Sequence, residues 1–158
     1  MAIVSTAPPA SAPASGGRLA TLYNMGAALL DSLQSPALLA MRLYIAKVFI
    51  TSGLLKAERW DSTLALFANE YHVPILPPYA AAILGTSAEV GLPILLLFGV
   101  GTRAAALALF VFNIVAVISY PDLSPAGVKD HILWGALMLV LAIWGPGKLA
   151  ADRWLGWR

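Results

Sequence analysis

The chain has 158 residues, of which 59% are hydrophobic and only 11% charged, and its mean hydropathy is +0.79. A soluble domain carries about 45–50% apolar and about 25% charged residues, so composition excludes an ordinary water-soluble fold and points to a one-domain integral membrane protein embedded in a lipid bilayer. The net charge of +2 comes from ten Lys and Arg with no basic run, which argues against a nucleic-acid partner, and with no cysteine the chain itself holds no disulfide, thiolate nucleophile or cysteine-bound cluster.

Residues 1–17, rich in Pro, Ser, Ala and Gly, cannot bury a core and are expected to be a disordered tail. From Arg18, the residues Leu19, Leu22, Tyr23, Gly26, Leu29, Leu30 and Leu33 recur at steps of three and four. This predicts an amphipathic helix over 18–35, lying at the membrane surface or packed on the bundle, that ends before Pro36. The first span is expected at about 37–56, with Arg42, Lys47 and Lys56 set in an apolar background. At 100° per residue, Gly53 falls about 20° and Lys56 about 40° from Arg42, whereas Lys47 falls about 140° away. One face therefore carries Arg42, Gly53 and Lys56. For the two end cations, snorkelling to the headgroups competes with a functional role.

Between spans one and two, Trp60, Leu64, Phe67 and Tyr71 form an apolar stripe opposite Glu58, Arg59, Asp61, Asn69 and Glu70. The pattern predicts a short interfacial helix capped by Asp61 or Ser62, which either covers the bundle mouth or gates a ligand. The second span is expected at 79–100, the third at 104–120 with Asn113 bonded to a neighbouring helix, and the fourth at 130–145. A short cytoplasmic tail, 153–158, closes the chain. Four spans put both termini on one side with Arg18, Arg103, Lys148, Arg153 and Arg158, against Lys56, Arg59 and Lys129 opposite. That bias predicts cytoplasmic termini.

Glu89 lies mid-span in the run from Tyr79 to Val100, where a carboxylate costs roughly 2.5 kcal/mol or more and needs a partner or a polar cavity. Pro93 cannot donate to the carbonyl of Glu89, so a free carbonyl is expected beside the carboxyl group, joined by Thr86 and Ser87. The site either binds a ligand and handles protons or is a structural ion pair. Depth favours Lys47 as the partner of Glu89, and the two-pronged guanidinium favours Arg42. His131 with Asp130 reads as a polar pair at the mouth of the fourth span, able to exchange protons near neutral pH, or as an ordinary polar helix start. His72 and His131 could in principle ligate a haem, but no carboxylate–histidine cluster at ligand spacing accompanies them, so no metal site is expected.

Arg42 with Gly53-Leu54-Leu55-Lys56, then Ala88-Glu89-Val90-Gly91, then Leu95 to Arg103, then Asp130-His131 and the closing Gly145 to Asp152 resemble the DoxX family of small bacterial membrane proteins in order and spacing. The similarity covers about Leu38 to Asp152, and Lys47 is not part of the pattern. It implies an all-α four-helix membrane bundle of the bacterial inner membrane. It also implies an association with quinone-linked oxidation of reduced sulfur compounds or with redox-defence proteins, so that quinone is the cofactor to expect and an oxidoreductase the partner protein. The residues implicated in ligand binding or proton handling are Glu89, Arg42, Lys56, His131, Asp130 and Arg103. Two other functions fit the same residues: a non-catalytic anchor or assembly factor, and a small-solute permease, which would need a homodimer.

Overall fold

The computed structural model describes residues 17–157, so the expected tail lies, but for Gly17, outside the described residues. The elements are α1 (Arg18–Glu58), α2 (Trp60–Asn69), α3 (Pro78–Phe98), α4 (Thr102–Ser119), α5 (Pro125–Trp144) and the single turn α6 (Ala151–Trp154). No strand occurs among the described residues. α1, α3, α4 and α5 are each long and apolar enough to cross a bilayer.

No helix ends before Pro36. α1 continues through it, because one proline removes a single ladder bond and a long apolar helix tolerates that loss. The part of α1 up to Leu33 is a unit of its own, with Leu19, Leu22, Tyr23 and Leu30 exposed.

From Gln34 onward the chain is a second unit. Its core holds Leu38, Ile45 and Phe49 of α1, Leu96 of α3, Ala105, Ala106 and Leu109 of α4, and Met138 and Leu141 of α5. α4 packs on both α3 and α5, and α2 lies on α3. Backbone chemistry sets the ends. Gly99 adopts φ 68°, and the Val100 N–H reaches the Leu95 carbonyl at 2.9 Å while the Gly99 N–H reaches Leu96 at 3.1 Å. This is a Schellman termination, which needs a residue free to adopt the left-handed conformation. α5 begins at Pro125, five residues before its expected start, because Ser124 caps it by accepting the Gly127 N–H at 3.1 Å and proline suits the first helical position. α2 departs from expectation too: Arg59 occupies its cap position without a side-chain bond, and neither Asp61 nor Ser62 caps it. Thr63 of α2 instead donates to the Lys56 carbonyl at 2.9 Å, fastening α2 to the end of α1.

Candidate functional site: a buried ion pair under an aromatic cover

Gly53 positions the site. A Cβ there would lie 2.9 Å from Glu89 Cβ and 2.7 Å from Val90 Cγ2, so α1 and α3 approach closely at this level because residue 53 has no side chain. The approach brings Lys56 to Glu89. Its ammonium donates to Glu89 Oε1 at 2.5 Å and to Oε2 at 2.6 Å, forming the one ion pair among the described residues. Ser52 completes the cluster, donating to Glu89 Oε2 at 3.2 Å and accepting from Lys56 Nζ at 3.2 Å. The Lys56 and Glu89 side chains are 16% and 8% exposed, so the pair is shielded from solvent on both sides.

This corrects the expected pairing of Glu89 with Arg42 or Lys47. α1 and α3 run antiparallel, and with Gly53 level with Glu89, a residue eleven positions earlier on α1 lies near the far end of α3. Arg42 is accordingly buried beside Leu96, donating to its carbonyl at 3.5 Å and to the carbonyl of Leu149. Depth does not select Lys47, because α1 starts at Arg18 rather than at about residue 37. Lys47 faces outward and is exposed. Ser87 is exposed and does not join the cluster, being about 200° from Glu89 around the helix, whereas Thr86, about 60° away, is buried with its hydroxyl unpartnered. Ser52 went unnoticed in the sequence, although its spacing of four from Lys56 was a usable signal.

A cavity of about 320 Å³ opens from the Lys56–Glu89 pair. Gly85, Ala88, Phe112 and Ala116 line its walls, and Phe67 of α2 with Tyr71, Val73 and Leu76 covers it. The cover is fixed in place. Phe67 stacks on Tyr71 at 4.8 Å and Tyr71 on Tyr120 at 5.0 Å, Tyr120 donates to Glu70 Oε2 at 3.1 Å, and the His72 N–H donates to the Ser119 carbonyl at 2.7 Å. Burial, then the negative charges of Glu89 and Glu70 with Tyr120 between them, push the Tyr71 phenol above its usual range. The hydrogen bond to Glu70 pushes Tyr120 up as well. Ser119 lines the cavity, fully buried, with a hydroxyl that has no partner among the described residues.

The other candidate residues are not brought to this cavity's lining. His131 turns inward on α5, its Nδ1 2.7 Å from Asn113 Oδ1, while Asn113 Nδ2 donates to the His131 carbonyl at 3.0 Å. Asp130, one position earlier, points outward and is exposed, so the expected pair at the mouth is split by the 100° step of the helix. Arg103 is at the opposite end of the bundle, donating to the carbonyls of Ala142 and Ile143 at 3.1 and 2.6 Å. Asp152, which stood in the sequence only as the close of a motif, accepts the N–H groups of Gly101 and Thr102 at 2.6 and 2.8 Å.

Comparison with known proteins returns a family match over the first three of these apolar helices. The DoxX family matches residues 37–121, more than half of the chain. The chain belongs to the DoxX family. The match takes in Arg42, Lys56, Glu89 and Arg103 and stops before Asp130 and His131. This DoxX protein is 33% identical over 127 residues to the inner membrane protein YphA of Escherichia coli, covering 73% of this chain and 88% of that one. It is 30% identical over 125 residues to an uncharacterized protein of Haemophilus influenzae, covering 73% and 81%. No solved structure matches it. With its four apolar helices, it is a multi-pass protein of the bacterial inner membrane.

Proposed function

We propose that this DoxX protein is a membrane subunit that holds the polar head of a quinone or similar amphiphile in the Lys56–Glu89 cavity, on behalf of a partner oxidoreductase. The observation that carries the reading is a bonded acid–base pair opening into an apolar, aromatic-covered space rather than into packed side chains. The residues fit such a head. Lys56 offers positive charge, the Ser119 hydroxyl, unpartnered among the described residues, offers a donor, and Phe112, Phe67 and Tyr71 offer ring faces. A bound quinone would supply two-electron, two-proton chemistry, with the electrons coming from the partner because this chain has no cysteine. Glu89 takes up or releases a proton at its carboxyl oxygens, Lys56 and Ser52 hold it in place, and the aromatic cover limits water. The bias of Arg and Lys toward the side of the bundle that carries both termini supports cytoplasmic termini, which would set the cavity in the outer half of the membrane.

A second reading rests on one feature of the same cluster: Lys56 and Ser52 already satisfy both Glu89 oxygens, which is also how a packing lock in an anchor or assembly factor would be built. Mass spectrometry of organic extracts from protein purified in mild detergent, wild type beside Glu89→Gln, separates the two. Quinone enriched over bulk lipid in wild type and depleted in the variant supports the subunit reading. Quinone that tracks lipid equally in both samples refutes it and leaves the anchor.

A further inference from the structure

We propose that the opposite end of the bundle carries a binding site for a phosphate oxyanion, supplied in the membrane by the headgroup of an anionic phospholipid. The site is a cleft of about 590 Å³ whose lining includes Arg103, Arg153, Trp144 and Trp157 and, among the described residues, no acidic one. It is independent of the quinone reading, being formed where α4 begins, α5 ends and α6 folds back.

Three features show that the cleft is built rather than incidental. Arg103 is held by one end: its Nη1 donates to the last carbonyls of α5, and its Nε and Nη2 lie over Gly145, where a Cβ would meet them at 3.0 and 3.1 Å. The residue at 145, with φ 84°, is one that a side chain would strain. Trp157 is placed by a second Schellman turn. Gly156 takes φ 72°, the Trp157 N–H reaches the Asp152 carbonyl at 2.8 Å, and the Gly156 N–H reaches Arg153 at 3.4 Å. Finally, the nearest acid is occupied elsewhere. Asp152 is 3% exposed and gives its carboxylate to Gly101 and Thr102, so it does not neutralise Arg153, which makes no ion pair among the described residues.

The result is two guanidinium groups and two indoles that share the cleft with no acidic side chain among the described residues, placed at the end of two membrane-spanning helices. Guanidinium groups match the oxygens of a phosphate, and indoles settle at the headgroup level of a bilayer. A zwitterionic headgroup brings its own cation next to the same phosphate. The cleft should therefore prefer lipids with net negative charge.

The test is native mass spectrometry of the full-length protein released from micelles, with phosphatidylglycerol and phosphatidylcholine added in equal amounts and inorganic phosphate in a separate arm. Wild type is expected to retain phosphatidylglycerol over phosphatidylcholine, and each of Arg103→Gln and Arg153→Gln should reduce that preference about fivefold. The Arg153 side chain makes no hydrogen bond or ion pair among the described residues, so Arg153→Gln reports on the site even if Arg103→Gln disturbs the end of α5. Inorganic phosphate at millimolar concentration displacing the lipid would support the oxyanion chemistry and name a free ion as a competing source. Equal retention of the two lipids by wild type, or a preference that survives Arg153→Gln, would overturn the proposal.

Discussion

Replacing Lys56 by Met and Glu89 by Gln, singly and together, tests whether the ion pair is coupled as its geometry requires. Removing one partner of a buried pair typically costs about 3–5 kcal/mol because the other charge is stranded, while exchanging both for uncharged groups of similar size is often close to neutral. The two single changes should not cost the same. After Glu89→Gln, Lys56 sits two residues before the end of α1, and its long side chain can carry the ammonium toward the headgroups, which limits the cost to about 2 kcal/mol. After Lys56→Met, Glu89 is left in the middle of α3 with only Ser52 as a donor and cannot reach an interface, so the loss should be nearer 4 kcal/mol. The double variant should recover to within about 1 kcal/mol of wild type. Reversible unfolding in mixed micelles, followed by tryptophan fluorescence across an SDS titration, yields all three values and hence the coupling energy. Additive single effects, or a Lys56→Met loss no larger than that of Glu89→Gln, would refute the reasoning.

Gly53→Ala should cost about 1–3 kcal/mol, since its Cβ would have to displace the Glu89 backbone at 3.1 Å as well as the Val90 side chain; an unchanged SDS midpoint would show that the two helices can part without loss. Asp152→Ala should cost about 2 kcal/mol in the same titration by leaving the Gly101 and Thr102 N–H groups without their carboxylate. Arg42→Lys should lose about 2 kcal/mol, because an ammonium cannot reach the Leu96 and Leu149 carbonyls together, yet it should leave quinone recovery unchanged. The raised Tyr71 phenol sets a pH limit. Below about pH 10 the group is protonated whether the chain is folded or not, and its contribution is fully present; as pH rises further the unfolded chain ionises first and stability is lost. Thermal unfolding in detergent between pH 9 and 11 should therefore fall more steeply in wild type than in Tyr71→Phe.

Glu89 was legible in the sequence because an acid in the middle of an apolar run is costly and has to be explained locally. The spans were legible for a related reason: their apolar length is a property of single segments. The partner of Glu89 was not, since it depends on which residues of two antiparallel helices stand level, and that register is fixed by the close approach at Gly53 rather than by distance from a proline. The same limit accounts for Asp152, whose partners Gly101 and Thr102 are about fifty residues away. Ser52 and Ser124 were different. Each had a local signal, a spacing of four from Lys56 in one case and a following Pro125 in the other, but a serine is common enough in loops and helices that neither stood out until its neighbours were in place.

Arg42 and Asp152 lie apart from Lys56 and Glu89 and are bonded differently. Arg42 and Asp152 are spent on backbone groups: the guanidinium on carbonyls at the end of α3 and in the α5–α6 loop, the carboxylate on the first N–H groups of α4. Such bonds close the bundle where helices end and orphan groups would otherwise stay unsatisfied. Lys56 and Glu89 satisfy each other and Ser52, not the backbone, and about 320 Å³ of space lies beside them. A pair needed only for packing has no use for that space, because filling it with side chains would add dispersion contacts and strengthen the lock. Covering it with Phe67, Tyr71 and their stacked neighbours while leaving it open inside makes physical sense if something else occupies it.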